Sequence, residues 1–337
     1  MSEASDPDPF PGVSVVMPVR NEEASLEEAV RAVLDAGYAG PLEVVIAVGP
    51  SEDATASIAA ALAEHDAVTA VDNPSGRTPD GLNAAIEAAS HDVIVRMDGH
   101  ARMPRGYVDL AVDALARTGA ANVGGRMVPE SDETFARAVA VAMSSRWGLG
   151  GAGHRQGGRE RAAESVYLGS FRRDALDDVG GYDAHFVRAQ DWELNHRLRS
   201  AGHVVWFVPE MAVPYSPRRT WTALRRQFFS TGQWRREVVR RHPETGSARY
   251  LAAPAAVVAC ASALVIGAVG VALGPAILAL ALVVPGAYAL GVLVATASLL
   301  PRTGLRSALV MPVVLVTMHW AWGLGFLCGV RYSQLDA

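Results

Sequence analysis

The chain has 337 residues, enough for one large domain or two ordinary ones, so a buried core and a cleft are both possible. Half of the residues are hydrophobic and 19% are charged, a balance shifted toward chains that enter a bilayer. The two cysteines, Cys260 and Cys328, lie in apolar stretches with no close partner in sequence, which argues against a disulfide framework or a zinc site.

The formal net charge of −5 conceals an uneven distribution along the chain. Positions 251–300 hold no charged residue, whereas positions 218–249 are rich in arginine. Positions 1–12 are acidic and Pro-rich without an apolar core, so they do not resemble a cleavable signal peptide. We therefore expect the first domain to remain in the cytoplasm.

Short apolar runs alternate with helix-like segments in the first hundred residues. The runs predict strands at 13–19, 42–48, 68–71 and 92–97, and the intervening segments predict helices at 22–36, 54–63 and 79–89. This alternation predicts a mostly parallel sheet covered on both faces, which collects ligands at the carboxyl ends of its strands. Positions 20–22, 49–53 and 98–100 are therefore candidate site segments.

The second half of this region is less regular. A Gly- and Arg-rich segment at 148–161 predicts a mobile loop, either a lid or a disordered stretch. Further strands are expected at 166–171 and 204–208, with a helix at 191–201 between them.

A basic amphipathic helix is predicted at 218–249. Its apolar stripe is formed by Trp221, Leu224, Phe228, Trp234 and Val238, with paired arginines between them. Such a stripe suits a helix in the headgroup region of an anionic leaflet, and it suits packing against the domain core equally well.

Three apolar segments, 251–273, 276–300 and 308–330, are each long enough to cross a bilayer. Arginines precede the first segment, and Arg302 with Arg306 lies between the second and third. The positive-inside rule then predicts a cytoplasmic N-terminus and an outer C-terminus. His319 lies within the third segment, where a helix-to-helix hydrogen bond is the expected role.

Several motifs follow the predicted strands in a fixed order. They are PVRNEE at 18–23, SEDAT at 51–55, NPSGRTP at 73–79, GLN at 81–83, RMDGH at 96–100, and QDWEL at 190–194 followed by RLR at 197–199. This set resembles the family-2 glycosyltransferases of the GT-A fold, and it is most similar to the exopolysaccharide glucosyltransferases of the succinoglycan type. The resemblance covers about 13–241 and implies an α/β, Rossmann-like, mostly parallel sheet ahead of an all-α region of three transmembrane helices.

The resemblance implies a divalent cation, Mn²⁺ or Mg²⁺, held by Asp98 at the end of the fourth strand. A carboxylate-bound cation neutralises a nucleotide diphosphate as the glycosidic bond breaks. The family usually places a second acid two positions later, where this chain has His100. Imidazole is an acceptable ligand of Mn²⁺ and a less natural one of Mg²⁺. His100 is either a second metal ligand or a turn residue bonded to the backbone.

The same resemblance makes Asp191 the catalytic base. Inverting transfer needs one carboxylate on the acceptor side to take the proton of the attacking hydroxyl. An N-cap of the following helix is the structural alternative for this residue.

Donor binding is assigned by resemblance to the loop after the first strand and to Asp53. The resemblance implies six donor-binding residues: Pro18, Arg20, Glu22, Asp53, Arg77 and Asp98. Arg77 could meet the diphosphate or remain solvated. The family also has an Asp a few residues before Ser51, where this chain offers no acid.

The sequence thus predicts a tail (1–12), a catalytic domain (13–217), a basic interfacial helix (218–249), three membrane helices (250–331) and a second tail (332–337). The predicted activity is transfer of a hexose from a UDP- or GDP-sugar to a polyprenyl-linked saccharide at the cytoplasmic membrane face. Anionic lipids are expected partners and nucleic acid is not. A polyprenyl-phosphate sugar synthase is the nearest alternative, and a non-catalytic membrane protein that binds nucleotide sugars is the alternative of another class.

Overall fold

The computed structural model describes residues 10–149, 158–274 and 276–330. The centre of the predicted Gly- and Arg-rich loop and nearly all of both predicted tails lie outside these residues. The chain forms two compact units. The sheet unit comprises Met1–Val128 and Gly157–Tyr215, and the helical unit comprises Pro129–Gln156 and Ser216–Ala337.

An eight-stranded sheet forms the centre of the sheet unit, in the order β3-β2-β1-β4-β7-β5-β8-β6. Its strands are β1 Val13–Val19, β2 Leu42–Val48, β3 Val68–Asp72, β4 Val93–Arg96, β5 Asn122–Pro129, β6 Arg161–Ala162, β7 Tyr167–Arg172 and β8 Val205–Tyr215. Strands β1 to β4 pair in parallel, whereas β7 pairs antiparallel with β4 and β5. The predicted α/β sheet is confirmed.

Helices cover both faces of this sheet. They are α1 Leu26–Leu34, α2 Thr55–Leu62, α3 Thr78–Ala88, α4 Tyr107–Thr118, α7 Arg173–Val179 and α8 Gln190–Ser200. Alternate residues of β1 enter different cores: Val15 and Met17 pack in the cluster with α1 and α4, and Val16 packs in the cluster with α3 and α8. This two-residue alternation fixes which side chains can reach the strand ends.

The helical unit holds the remaining helices of the described residues. They are α5 Thr134–Met143, α6 Arg146–Leu149, α9 Trp221–Arg241, α10 Ala248–Leu273, α11 Ala276–Ala279, α12 Val283–Thr303 and α13 Leu305–Cys328. Three helical stretches are long and apolar enough to cross a membrane: Ala248–Leu273, Ile277–Thr303 and Leu305–Cys328. The predicted C-terminal region of three apolar helices is confirmed.

The apolar stripe of α9 packs against α13. Of the two alternatives for this helix, the stripe thus packs against protein, although its partner is a helix of the helical unit. Leu224, Phe228 and Val238 are buried. The backbones come close because a Cβ on Gly232 would collide with backbone atoms of α13. The Trp221 indole also donates a 2.8 Å hydrogen bond to Thr317.

Helices α5 and α6 belong to the helical unit although their sequence lies within the predicted catalytic segment. The Trp147 indole on α6 donates to Ser298 of α12 at 3.0 Å. His319 of α13 donates from Nε2 to the Trp147 carbonyl at 2.7 Å, so Nδ1 accepts the Tyr288 hydroxyl at 3.1 Å. His319 thus makes the expected hydrogen bonds between helices.

Candidate active site

Two loops at the carboxyl ends of β1 and β2 are tied together by hydrogen bonds. The backbone of Asn21 donates to Ser51 Oγ at 3.1 Å, and the backbone of Glu52 donates back to Asn21 Oδ1 at 2.9 Å. Asn21 has a φ of 55°, a left-handed conformation that Asn tolerates better than most residues. Glu22 donates its backbone N–H to Thr55 Oγ1 at 2.7 Å. The predicted segments 20–22 and 49–53 therefore form one structure.

The Asp53 carboxylate accepts hydrogen bonds from both of these loops. Its Oδ1 accepts the Thr55 hydroxyl at 2.5 Å and the Thr55 backbone N–H at 3.0 Å, and its Oδ2 accepts the Glu23 backbone N–H at 3.2 Å. The Thr55 hydroxyl is the largest influence on the pKa of Asp53, which these bonds lower. Asp53 is thus committed to loop hydrogen bonds, and its contact with a nucleoside stays a prediction.

Close backbone approaches surround Pro18 and Arg20. A Cβ added to Gly76 would lie 3.4 Å from Nη1 of Arg20, so this guanidinium lies over the loop after β3. A Cβ on Gly81 would lie 3.3 Å from the Pro18 ring, so α3 packs tightly on the end of β1. These glycines therefore allow the loop after β3 and the start of α3 to pack closely against Pro18 and Arg20.

Arg77 lies at the N-terminus of α3, as its position in the NPSGRTP motif predicts. Its Nε donates to Asp80 at 2.8 Å, and its backbone N–H donates to Ser75 Oγ at 3.1 Å. The guanidinium is therefore oriented by an acid within its own helix turn. A diphosphate contact of Arg77 stays a prediction.

The structure brings Asp98 and Asp191 together through one buried cation, Arg96. Nη2 of Arg96 donates to Asp98 Oδ1 at 2.9 Å, and Nη1 donates to Asp191 Oδ1. Arg96 is 5% exposed, whereas the Asp191 side chain is 38% exposed. Asp191 lies in the first turn of α8, two residues after Ala189, whose φ of 61° is unusual for a residue with a Cβ.

Burial and the neighbouring charges have opposing effects on the pKa values of Asp191 and Arg96. Burial is the largest influence on the pKa of Asp191 and raises it. The charge of Arg96 lowers this pKa and the charge of Asp98 raises it, so that the net shift is upward. The side chain is accessible at the surface, yet the surrounding protein removes enough water to disfavour its charge. Burial alone would lower the pKa of Arg96, but Asp191 and Asp98 raise it well above its ordinary value. Burial and the nearby carboxylates also raise the pKa of Tyr182 and of Tyr167.

His100 follows Asp98 and contacts Glu22 of the first loop. Its Nδ1 lies 2.8 Å from Glu22 Oε1, and a carboxylate accepts, so Nδ1 carries the proton. In the neutral ring Nε2 then carries the lone pair, the tautomer that a carboxylate partner selects in metal-binding histidines. Among the described residues, Asp98 and His100 belong to no group of three such side chains whose ligand atoms all lie within 4.8 Å of one another. A carboxylate and an imidazole are both chemically suited to Mn²⁺, and cation binding by Asp98 and His100 stays a prediction.

A turn before α8 is held from both sides. Asn83 of α3 donates to the Tyr182 carbonyl at 2.8 Å and accepts the Tyr182 backbone N–H at 2.8 Å. Arg197 donates to the Gly181 carbonyl at 2.7 Å while its Nε bonds the buried Glu193 at 2.7 Å. Gly181 has a φ of 68°, which favours glycine. The turn thereby fixes Tyr182 close to Arg96.

Three residues of this site have no role in the sequence-based prediction: Arg96, Asn83 and Arg197. A signal for Arg96 exists, because it lies two residues before Asp98 and strand periodicity gives the two side chains one face. Arg197 follows Glu193 by four residues in a helix, the spacing of an ion pair. Asn83 belongs to the GLN motif, but its partner Tyr182 lies 99 residues away, so the motif alone does not predict this contact.

Comparisons with known proteins place the chain among glycosyltransferases. The family model "Glycosyl transferase family 2" matches residues 14–180. The succinoglycan biosynthesis protein ExoA of Rhizobium meliloti (strain 1021) is 33% identical over 231 residues, covering 68% of this chain and 70% of that protein. The glycosyltransferase AglE of Haloferax volcanii is 24% identical over 231 residues, covering 65% of this chain and 71% of that protein.

One solved structure also matches most of the chain. It is the mannosyltransferase PcManGT from Pyrobaculum calidifontis, in complex with GDP-Man and Mn²⁺. The match has a TM-score of 0.58 and 23% identity, and it covers 94% of this chain and 88% of that chain. At this identity the likeness shows the fold, which is the GT-A fold that the motifs imply.

Proposed function

Because the chain belongs to glycosyl transferase family 2, we propose that it moves a hexose from a nucleotide-diphosphate sugar to a polyprenyl-linked saccharide, with inversion of the anomeric carbon. The observation that carries this proposal is the pairing of Asp98 and Asp191 with the single cation Arg96. The reaction needs one carboxylate beside the leaving diphosphate and one beside the attacking hydroxyl, and these two are close together.

The donor binds at the carboxyl ends of β1, β2 and β4 in this proposal. Arg20 and Arg77 attract the diphosphate because guanidinium forks match phosphate oxygens. Pro18, Glu22 and Asp53 shape the nucleoside side, with Asp53 acting through the loops that it ties together. Asp98 and Nε2 of His100 would hold Mn²⁺ or Mg²⁺, which neutralises the charge that develops on the leaving diphosphate.

Asp191 is the base. It takes the proton of the acceptor hydroxyl while that oxygen bonds to the anomeric carbon, and the electron pair of the broken bond leaves with the diphosphate. Attack opposite the leaving group inverts the configuration. The partial exposure of the Asp191 side chain supports this role, because an acceptor has to reach the base.

The membrane face and the acceptor follow from the helical unit. Exposed arginines of α9, Arg225, Arg226, Arg240 and Arg241, suit anionic headgroups, while the opposite stripe packs on α13. We place this basic surface and the N-terminus in the cytoplasm by the positive-inside rule. The likeness to a succinoglycan biosynthesis protein supports a role in cell-surface polysaccharide synthesis, and a lipid-linked acceptor is our proposal.

The first test is calorimetric titration of GDP and UDP into the detergent-purified chain, with and without Mn²⁺ or Mg²⁺, alongside Asp98→Ala. We expect cation-dependent binding of one nucleotide, lost in Asp98→Ala. GDP-mannose and UDP-glucose are then supplied with polyprenyl-diphosphate-linked glucose or with polyprenyl phosphate. Sugar on the first acceptor, with an inverted linkage by NMR, supports the proposal, whereas sugar on polyprenyl phosphate alone makes the chain a polyprenyl-phosphate sugar synthase.

Asp191→Asn tests the base. We expect it to abolish transfer while nucleotide binding at saturating Mn²⁺ stays near that of the wild type, because only the proton acceptor is removed. An active Asp191→Asn enzyme contradicts the assignment. A wild type that binds the nucleotide with Mn²⁺ and transfers to neither acceptor would support the non-catalytic alternative.

A further inference from the structure

Arg96 lies in the site but has no direct part in the proposed reaction. Its two terminal nitrogens donate to different carboxylates, Asp98 beside the donor and Asp191 beside the acceptor. It is almost fully buried, and within the described residues its Nε has no hydrogen-bond partner. A buried donor left without a partner indicates that the two carboxylates, rather than an optimised pocket, determine where this side chain lies.

We propose that Arg96 is a positioning residue that couples the metal-side carboxylate Asp98 to the base Asp191, a role that rests on the proposed function. Arg96 reaches the site from the end of β4, and Asp191 reaches it from the start of α8. These elements lie almost a hundred residues apart in sequence. One rigid guanidinium plane fixes the separation of the two carboxylates before any substrate arrives.

Buried ion pairs such as these are weak evidence of a contribution to fold stability. Withdrawing charges from water costs about as much as the ion pairs return, and an apolar side chain often stabilises as well. A lysine could not replace the guanidinium, because it is a point charge on a flexible stem that cannot hold two carboxylates in one plane. Arginine at this position therefore points to a function in geometry.

Sharing one cation also couples the two sites. When Asp191 loses its charge, Arg96 can turn entirely onto Asp98 and compete for the oxygens that hold the cation. The through-space effect of the lost charge is the same with or without Arg96, so a double-mutant cycle cancels it. The coupling that remains in the cycle is the effect of Asp191 on Mn²⁺ affinity that depends on Arg96.

The experiment measures Mn²⁺ affinity of the detergent-purified full chain by electron paramagnetic resonance. The variants are the wild type, Asp191→Asn, Arg96→Met and the double variant, with Asp98→Ala as the control for the site. We expect Asp191→Asn to weaken Mn²⁺ binding more in the wild-type background than in the Arg96→Met background, and the two effects should differ about threefold or more. We expect Arg96→Met alone to bind Mn²⁺ as tightly as the wild type or more tightly, because a repelling charge is gone.

Turnover is the second readout, followed as GDP released from GDP-mannose or UDP released from UDP-glucose with water as the acceptor. We expect kcat to fall on the order of 10²-fold in Arg96→Met, the effect of a misplaced base, while the KM for the donor changes little. Arg96→Lys should recover part of this loss. Arg173→Met is the matched control, because Arg173 donates to the backbone carbonyls of Ile86, Ala89 and His91 in the same unit. It should lower thermal stability without changing the cycle.

The outcomes separate the two proposals. Additive effects on Mn²⁺ affinity, weaker Mn²⁺ binding in Arg96→Met, or a kcat that Arg96→Met leaves intact would each overturn the role of Arg96. If Arg96→Met does not fold, Arg96→Lys takes its place, and wild-type behaviour of that variant in both readouts overturns the role as well. Mn²⁺ binding that survives Asp98→Ala instead refutes the proposed metal site, and a wild type that neither binds Mn²⁺ nor releases nucleotide overturns both proposals.

Discussion

Replacing Asn83 with Ala should loosen the turn that carries Tyr182. Asn83 makes two 2.8 Å hydrogen bonds to the Tyr182 backbone, and Tyr182 is buried. Each bond contributes about 1 kcal/mol, so the loss is roughly 2 kcal/mol. For a unit of this size that loss lowers the unfolding temperature by roughly 4–8 °C. The displaced turn should also lower transfer, because Tyr182 lies close to Arg96 and Asp191.

Hydrogen–deuterium exchange provides the local assay. We expect the peptide that contains Tyr182 to exchange faster in Asn83→Ala, with little change in peptides from β2. Asn83→Asp is the matched variant: its carboxylate still accepts the Tyr182 N–H but faces the Tyr182 carbonyl with an oxygen. It should therefore be at least as unstable as Asn83→Ala while keeping the Tyr182 amide more protected. Unchanged exchange and unfolding temperature in Asn83→Ala would refute this account of the turn.

Three further predictions concern other contacts. The pKa of Asp191 is raised and the base acts when ionised, so kcat/KM should fall as the pH drops through a value above the ordinary Asp range. Because Arg96 lowers that pKa, Arg96→Met should move this acidic limb of the pH profile to higher pH. An acidic limb that moves to lower pH or stays in place would contradict the assignment of the base. Glu22→Ala should weaken Mn²⁺ binding about tenfold or more in a titration, since it orients His100, and unchanged affinity would remove His100 from the metal site. Gly232→Ala should destabilise the helical unit by about 1–3 kcal/mol in detergent unfolding, whereas Gly291→Ala, with open space at its Cβ, should not, and equal effects would refute the packing of α9 on α13.

The parallel half of the sheet could be predicted from the sequence because its signals are local. Runs such as 13–19 and 42–48 are apolar except for Ser14 and Glu43, as expected for strands buried on both faces, and helical spacing lies between them. Asp98 follows such a run directly, so its place at a strand end follows from the same pattern. The three C-terminal helices depend on length and hydropathy alone, which are also local properties.

Other features depend on contacts between distant segments. The sequence of α5 is compatible with a core helix of the sheet unit, and only its partners in α12 and α13 place it in the helical unit. The stripe of α9 could face lipid or protein, and the decisive signal is a pair of glycines, Gly232 and Gly325, that permits close backbone contact across 93 positions of sequence. Arg96 was visible in its motif, but the carboxylate of Asp191 that gives it a second partner is brought close only by the fold.

The charges of the site support the proposed divalent cation despite the arginines nearby. Arg96 is shared between Asp98 and Asp191, so these three side chains carry two negative charges against one positive charge. Arg77 is paired with Asp80, which leaves its turn close to neutral. A diphosphate that approaches this surface therefore meets a net negative centre, offset nearby by Arg20. A cation at Asp98 reverses the sign of that centre, and it can do so without removing Arg96 from Asp191. On this argument, adding a further arginine near Asp98 should not replace Mn²⁺ in turnover, because a second guanidinium would compete with Arg96 for the same carboxylates; metal-independent turnover by a Gly99→Arg variant would show the argument to be wrong.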